Sequence, residues 1–549
     1  MLNRQILSRS RITTAKANFG CLVGLLTYLL VVGIERLNPS NITWLANGGW
    51  GDSLWHYYGW VSFRNSPWGF PIGINTSYGI NYSNSVVYTD SIPILAVPFK
   101  LLSPLLPPTF QYFGFWILAC FVLQGCAAWK LISLFSNSIP ILASGTSLFT
   151  FMPIMLHRIN THLSLVGQFT ILFGLYLYLK KDSTKHFTLW AILLVVTSGI
   201  HTYLLVMNLL LFMLDSYKRL KSNLLSRDSL PFLGVLVLLA ISMWQFGWFV
   251  AGSGLTTVFP SRLFKMDLLQ PFNVSGWSII FSKAFPNELG NFEGFNFLGL
   301  SVLLLLPILG VSKIKDKTFW TSKITEYRSL ALVLFTFFLF SLSNEITIGK
   351  KILLQFEYPP FLELIPGVLR AVGRFFWLPA IFLFLLTIYL VTKSVSTHFA
   401  AVILISMAFL QIADSSYAWR DIRSLTDLPI GYNIPKYDKQ KWSLIRTKYK
   451  NIRVKPTINP EISCNWRKVG FIATELRFRT NCAHTARLNR NALWDDYEAF
   501  KLEIESADLD SESAYILDGR TFELLASRGN IDRYSWFNDD AYFVVLPKP

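Results

Sequence analysis

The sequence predicts a polytopic α-helical membrane domain followed by a smaller soluble domain, on three observations. Of 549 residues, 52% are hydrophobic and only 15% charged, and mean hydropathy is +0.40, whereas soluble domains carry about 25% charge. Several charge-poor runs approach or reach the roughly 20 residues that a helix needs to cross a bilayer. After Asp414 the composition turns into an ordinary soluble mixture up to the end of the chain.

Apolar periodicity places spans at residues 18–34, 108–130, 139–156, 163–180, 187–200, 202–215, 231–250, 297–311, 329–343, 375–393 and 398–413. The first follows Arg4, Arg9, Arg11 and Lys16 and lacks a small-residue cleavage site. It therefore reads as an uncleaved span with a cytoplasmic N-terminus. The basic loops 180–186, 218–227 and 312–328 fall on that same side, so eleven spans leave the tail outside. The net charge of +17 is thus assigned to topology and not to a nucleic-acid partner. Arg262, Lys265, Lys283, Lys350 and Lys351 are exceptions on the outer side.

Residues 88–108 are apolar but interrupted by Pro93, Pro98, Pro104, Pro107 and Pro108, with Lys100 near the middle. Proline breaks the helical ladder, so this stretch reads as an amphipathic segment on the outer interface. The expected division is a membrane domain over 1–413, with a large first outer loop at 35–107, and an extracytoplasmic α/β or β-rich domain over 414–549. In the latter, 468–474, 514–519 and 541–547 read as strands. Cys21, Cys120 and Cys126 lie in apolar runs, leaving Cys464 and Cys482 as the pair that an oxidising compartment could join, for about 3 kcal/mol.

The first loop opens with "GGWGDSLWHYYGWVSFRNSPWGFP". If residues 52–64 are helical, Asp52, His56, Trp60 and Arg64 share one stripe, with Trp55 beside them. Asp52 reads either as a helix cap or as a reactive carboxylate, and the two are compatible. Asp90, in "YTDSIP", carries the same two readings. In "LRAVGRFFW" (369–377) Arg370 and Arg374 are four apart, a spacing that on a helix lets both grip one phosphate or lets both reach lipid headgroups. His157, His162 and His201 fall at outer ends of spans, where they serve a polar cavity or interface packing. Glu288 and Glu293 lie in an outer loop; Glu293 reads as a solvated acid or as a second carboxylate for sugar hydroxyls.

"GDSLWHYYGWVSFRNSPWGFPIG", "YTDSIPILAVPFKLL" and "LRAVGRFFW" together resemble a family of uncharacterised bacterial polytopic proteins with GT-C type glycosyltransferase architecture, over about the membrane part of the chain. The resemblance implies transfer of a sugar from a polyprenyl phosphate carrier to a cell-envelope glycan or lipid acceptor on the outer face of the bacterial inner membrane. It implies Asp52 and Asp90 as the catalytic carboxylates, with Asp52 as the base that takes the acceptor's proton; the leaving phosphate's charge must then be held, for which Arg370 and Arg374 are suited, with Arg64 and Lys100 as weaker candidates. His56, His157, His162, His201 and Glu293 complete the expected substrate site. No "DxD" or "ED" pair stands in the loop, which leaves a divalent metal, Mg or Mn, an open question. A lipid-linked glycan flippase or transporter is the competing reading. Ion-coupled carriers place acids or bases inside their spans, whereas here the span interiors offer amides such as Gln124, Asn208 and Gln245.

Overall fold

The structure, a computed structural model, describes residues 19–548 except 83, 181–184, 221–228, 253–254, 257–260, 282–284, 287–289, 312–316, 360–367, 458–462 and 530. Glu288 and Lys283 lie outside the described residues, as do parts of the three basic loops.

Each of the eleven apolar segments is helical. They are α1 (Phe19–Val31), α4 (Phe113–Ile132), α5 (Ile139–Leu156), α6 (Leu163–Leu179), α7 (His186–Ser198), α8 (Thr202–Leu220) and α9 (Leu230–Phe246). The rest are α10 (Leu300–Val311), α11 (Lys317–Ser341), α12 (Val372–Ser394) and α13 (Thr397–Asp414). The numbers α2 and α3 belong to two helices of the first loop, Asp52–Asn65 and Pro93–Leu101. Among the described residues, α4, α5, α12 and α13 are long and apolar enough to cross a membrane. Helices such as α6 and α7 fall short of the roughly 30 Å hydrocarbon core at 1.5 Å per residue. The apolar runs are therefore legible as helices, while the expected count of eleven full spans is not established by their lengths.

The chain falls into two compact units, which do not follow the linear division at 413. The first comprises described residues within 1–44, 111–239 and 259–428; the second, those within 45–110, 240–258 and 429–549. In the first unit α4 packs on α5 and α6, α13 on α5, α8 on α6 and α7, and α12 on α10, α11 and α13. Just after α1, the buried Arg36 donates to Thr426 Oγ1 (2.9 Å) and Asn160 Oδ1 (3.0 Å) and lies over the Trp44 ring. A buried guanidinium needs such partners to be tolerated. A hairpin of β2 (Glu345–Ile348) and β3 (Lys351–Gln355) follows α11.

The second unit joins the first loop to the tail. A short antiparallel pair, β1 (Leu255–Thr256) and β6 (Leu488–Asn489), belongs to it. Its five-stranded sheet, in the order β5-β4-β7-β9-β8, comprises β4 (Asn451–Val454), β5 (Arg479–Thr480), β7 (Ser513–Leu517), β8 (Tyr534–Asp539) and β9 (Tyr542–Pro547). The β4 strand runs parallel to β5 and β7, and β9 antiparallel to β7 and β8. This is an α/β domain, and the expected strands near 514–519 and 541–547 are β7 and β9. The expected strand at 468–474 is instead part of a helix, Trp466–Leu476, numbered α16 after α14 (Ser416–Ser424) and α15 (Lys439–Lys448). Its buried residues Trp466, Val469, Gly470 and Ala473 follow the helical i, i+3, i+4, i+7 pattern, and Asn465 caps it by accepting from Lys468 N. A window begun at Lys468 misses Trp466 and with it the period.

Residues 45–110 are fastened to the tail by main-chain bonds: Gly79 N to Thr480 O (2.8 Å), Thr480 N to Ser77 O (3.0 Å) and Ala486 N to Tyr88 O (2.7 Å). Buried Arg453 ion-pairs with Asp496 (3.0 Å) and Glu503, and Asn81 donates to the same Asp496 at 2.7 Å. Cys464 and Cys482, the two that an oxidising compartment could join, are buried thiols in contact with each other and are free in this structure. Thiol labelling of both is expected to be slow in the folded chain and fast in denaturant, a contrast that mass spectrometry reads directly.

Candidate functional site

In the second unit, α2 begins at Asp52, preceded by Gly51 in the left-handed region (φ +89°) with no side-chain capping bond. Asp52 is thus the first helical residue and not the N-cap, and it is half-buried. As the spacing predicts, Asp52, His56, Trp60 and Arg64 follow one another at successive turns. His56 is buried, and its Nε2 lies 4.0 Å from Asp90 Oδ2. The chain turns Asp90 back onto α2 through two left-handed residues, Asp90 (φ +50°) and Ile92 (φ +53°), and Ser91 Oγ between them donates to His56 O at 2.8 Å. Aspartate visits that region readily; β-branched isoleucine does so at about 1–3 kcal/mol. Asp90 does not cap α3, whose N-cap is Ile92 without a side-chain bond.

The far end of the stripe holds structure together. Trp60 Nε1 donates to Phe110 O (2.9 Å), and Arg64 donates to the carbonyl oxygens of Ser103, Leu106, Pro107 and Pro108. Trp55, beside the stripe, stacks on Trp466 (3.9 Å, 12°) and on His484 (4.9 Å). The helix that carries Trp466 approaches α2 at Gly470, where a Cβ would lie 2.6 Å from the Tyr58 ring.

Lys100, the weaker phosphate candidate, is buried between the rings of Phe63 and Trp68 and donates to Ser66 Oγ and Pro67 O. Nearby Leu101, Leu102 and Leu105 stay exposed, a surface suited to the interfacial placement expected for this stretch. Burial lowers the Lys100 ammonium to about 8. Between pH 8 and its ordinary value near 10.4 the unfolded chain holds the extra proton, so stability rises with pH across that window. Lys100→Met is expected to flatten that rise in pH-dependent thermal unfolding.

In the first unit the 3₁₀ turn Asn291–Glu293 follows Gly290, whose φ of +102° and close approach to Leu263 O leave no room for a Cβ. This turn presents Glu293 inward, so the expected solvated acid is a nearly buried one, 9% exposed. Arg374 Nη2 pairs with Glu293 Oε2; Arg158 Nη1 lies 3.9 Å and His162 Nε2 3.4 Å from the same oxygen. Arg158, 1% exposed, also donates to the main-chain oxygens of Glu293 and Gly294 and lies over the Trp377 ring, whose Nε1 donates to Gly294 O at 2.9 Å. Burial alone would raise the Glu293 carboxyl, but Arg374, His162 and Arg158 outweigh it and hold it well below the usual carboxylate range. Its contribution to stability is therefore full above about pH 4.5 and is lost as pH falls through the depressed folded value.

Arg370 and Arg374 do not share a helical face. The turn Val372–Phe376 carries Arg374, while Arg370 precedes it and lies over the Phe264 ring. Helical spacing was the wrong ruler because the helix begins after Arg370. His157 stacks on Phe295 (4.1 Å, 18°), and burial together with Arg158 keeps its imidazole well below the ordinary value, hence neutral. His201 accepts from Tyr203 N and stacks on Tyr203, whose hydroxyl accepts from Ala371 N and whose ring lies under Arg374. It positions the arginine's platform. Tyr203, Trp377 and the amides Gln270, Asn291 and Asn296 were not singled out from sequence. Trp377 closes the "LRAVGRFFW" motif and could have been found there; a tyrosine or amide at a helix end carries no comparable signal.

Neither unit by itself gathers three His, Cys, Asp or Glu ligand atoms among the described residues. The Glu293 oxygens face arginines, a donor set that suits an anion and not a six-coordinate Mg or Mn.

The model of one protein family matches residues 21–416. The chain belongs to the family described as a domain of unknown function, DUF6311. The match covers all three segments that build the Glu293 cluster, those of Arg158, Glu293 and Arg374, and the whole of α2. No curated protein matches the sequence. Among solved structures the chain is similar to the archaeal oligosaccharyltransferase AglB from Archaeoglobus fulgidus in complex with an inhibitory peptide and a dolichol-phosphate, at 10% identity and a TM-score of 0.38, over 97% of this chain and 74% of that one. So loose a superposition decides neither fold nor function.

Proposed function

We propose that the protein is a membrane glycosyltransferase of GT-C type, which moves a sugar from a polyprenyl phosphate carrier to a hydroxyl of an envelope glycan or lipid. The observation that carries this reading is the buried Glu293 cluster: two guanidinium groups and an imidazole gathered on one carboxylate next to apolar helices. Ionised groups so placed are expensive and mark functional sites. The guanidinium fork fits phosphate oxygens as it fits a carboxylate, so Arg374 and Arg158, oriented by Glu293, are suited to the carrier's phosphate.

In the proposed reaction the bond from the anomeric carbon to the carrier phosphate breaks, and the phosphate leaves with the electron pair. The acceptor oxygen bonds to that carbon as Asp52 takes its proton. Asp90 orients His56 beside the same helix. A phosphate is already a stable anion and needs no strong general acid. The site would face the outside of a bacterial inner membrane, with the N-terminus cytoplasmic. Envelope glycans from cells with and without the gene test the reading: loss of one sugar linkage is expected, and identical glycans would refute it.

A further inference from the structure

The Glu293 turn also lines a cavity of about 200 Å³ within the first unit, walled by Gln270, Asn273, Asn291, Asn296, His157 and Phe295 among others. Its volume is below the ~300–1,000 Å³ of drug-sized ligand sites and fits a single small ring. No acid, lysine or arginine is among its lining residues. Two amides stand out. Asn291 is 1% exposed, and neither its Oδ1 nor its Nδ2 has a hydrogen-bond partner among the described residues; Asn296, also 1% exposed, has an unpartnered Oδ1. A buried polar group left without a partner costs about 1–3 kcal/mol, so a native fold that keeps the whole Asn291 amide and the Asn296 Oδ1 in that state holds them ready for a ligand.

The main chain at Asn291 and the side chain of Asn296 are fixed in place. Gln270 Nε2 donates to Asn291 O (2.7 Å), and Asn296 Nδ2 donates to Gln270 Oε1 (3.2 Å) and Gly373 O (3.0 Å). An amide offers both donors and acceptors, as a hydroxyl does, and an uncharged wall disfavours phosphate, cations and acidic sugars alike. His157 and Phe295 lie stacked on each other, so they present an apolar edge but no slot for a flat base.

We propose that this cavity seats an uncharged pyranose ring, its hydroxyls bound by Asn291 and Asn296. The proposal deepens the sugar-transfer reading and rests on it for the source of the ring, which arrives either on the lipid donor or on the acceptor glycan. In both cases the ring would lie next to the Arg374–Glu293 pair, because Asn291 and Glu293 belong to one turn.

The test uses the full-length chain in lipid nanodiscs, since sugar-headed detergents would compete. Methyl glycosides of glucose, mannose, galactose and N-acetylglucosamine are titrated by saturation-transfer NMR, with methyl glucuronide as the charged control. At least one neutral glycoside is expected to bind, with the glucuronide weaker, and Asn291→Leu is expected to weaken binding by about tenfold or more. Asn291→Asp, which keeps the volume and removes the amide donors, is the second variant should the first misfold, and is expected to weaken binding too. Absence of binding by every neutral glycoside, the signature of a cavity holding only water, overturns the proposal. So does equal binding by wild type and both variants, or a glucuronide that binds as tightly. Displacement of the glycoside by a polyprenyl-phosphoryl hexose but not by sugar-free polyprenyl phosphate assigns the ring to the donor; displacement by neither assigns it to the acceptor. Glycoside binding that depends on Asn291 in a chain that transfers no sugar would leave the cavity standing and remove the transferase reading. Sugar transfer with binding indifferent to Asn291 would do the opposite.

Discussion

Glu293→Ala is expected to lower the unfolding free energy by about 3–5 kcal/mol, because it leaves Arg158 and Arg374 facing each other in a nearly buried site without their shared carboxylate. The loss should be largely recovered in the double variant Glu293→Leu with Arg374→Met, which removes the ion pair instead of breaking it. Arg158 tolerates this second change, since main-chain oxygens of the Glu293 turn still accept from it. Sugar transfer, in contrast, should be absent from both variants. Thermal unfolding of the purified chain beside a transfer assay separates these outcomes. A double variant as unstable as the single one would show that Glu293 does more than balance Arg374.

Asp52→Asn is expected to reduce transfer by about 10²–10⁴-fold, the usual worth of a positioned general base. Folding should change by no more than about 1 kcal/mol, the scale of a carboxylate at a helix start, because Asp52 is the first residue of α2 and only half-buried, and asparagine keeps its shape. Thermal unfolding and a rate measurement on the same preparation check both halves. Full transfer activity in Asp52→Asn would remove this residue as the base.

Apolar patterning made the helices legible: each of the eleven runs is a helix, since burial of side chains on a helix and in a bilayer obeys the same arithmetic of period and length. The stripe Asp52, His56, Trp60 and Arg64 was legible for the same reason. What escaped reading was set by residues distant in sequence. Glu293 looks like a loop acid until Arg374 and Arg158 are brought to it, and Arg370 looks like its twin until the helix is seen to start later. Likewise 468–474 passes for a strand because the anchoring Trp466, stacked on Trp55, lies just outside the alternating window. The joining of residues 45–110 to the tail in one unit depends on main-chain pairing at Thr480, about which side-chain patterns are silent.

The most direct measurement is to supply the purified chain, in sealed vesicles, with a polyprenyl phosphate carrying a radiolabelled sugar, together with an envelope-glycan acceptor. The account predicts that label passes to the acceptor while sugar-free polyprenyl phosphate accumulates in equal amount, and that Asp52→Asn stops both. Label that crosses the bilayer still attached to its lipid would contradict it and mark a flippase instead.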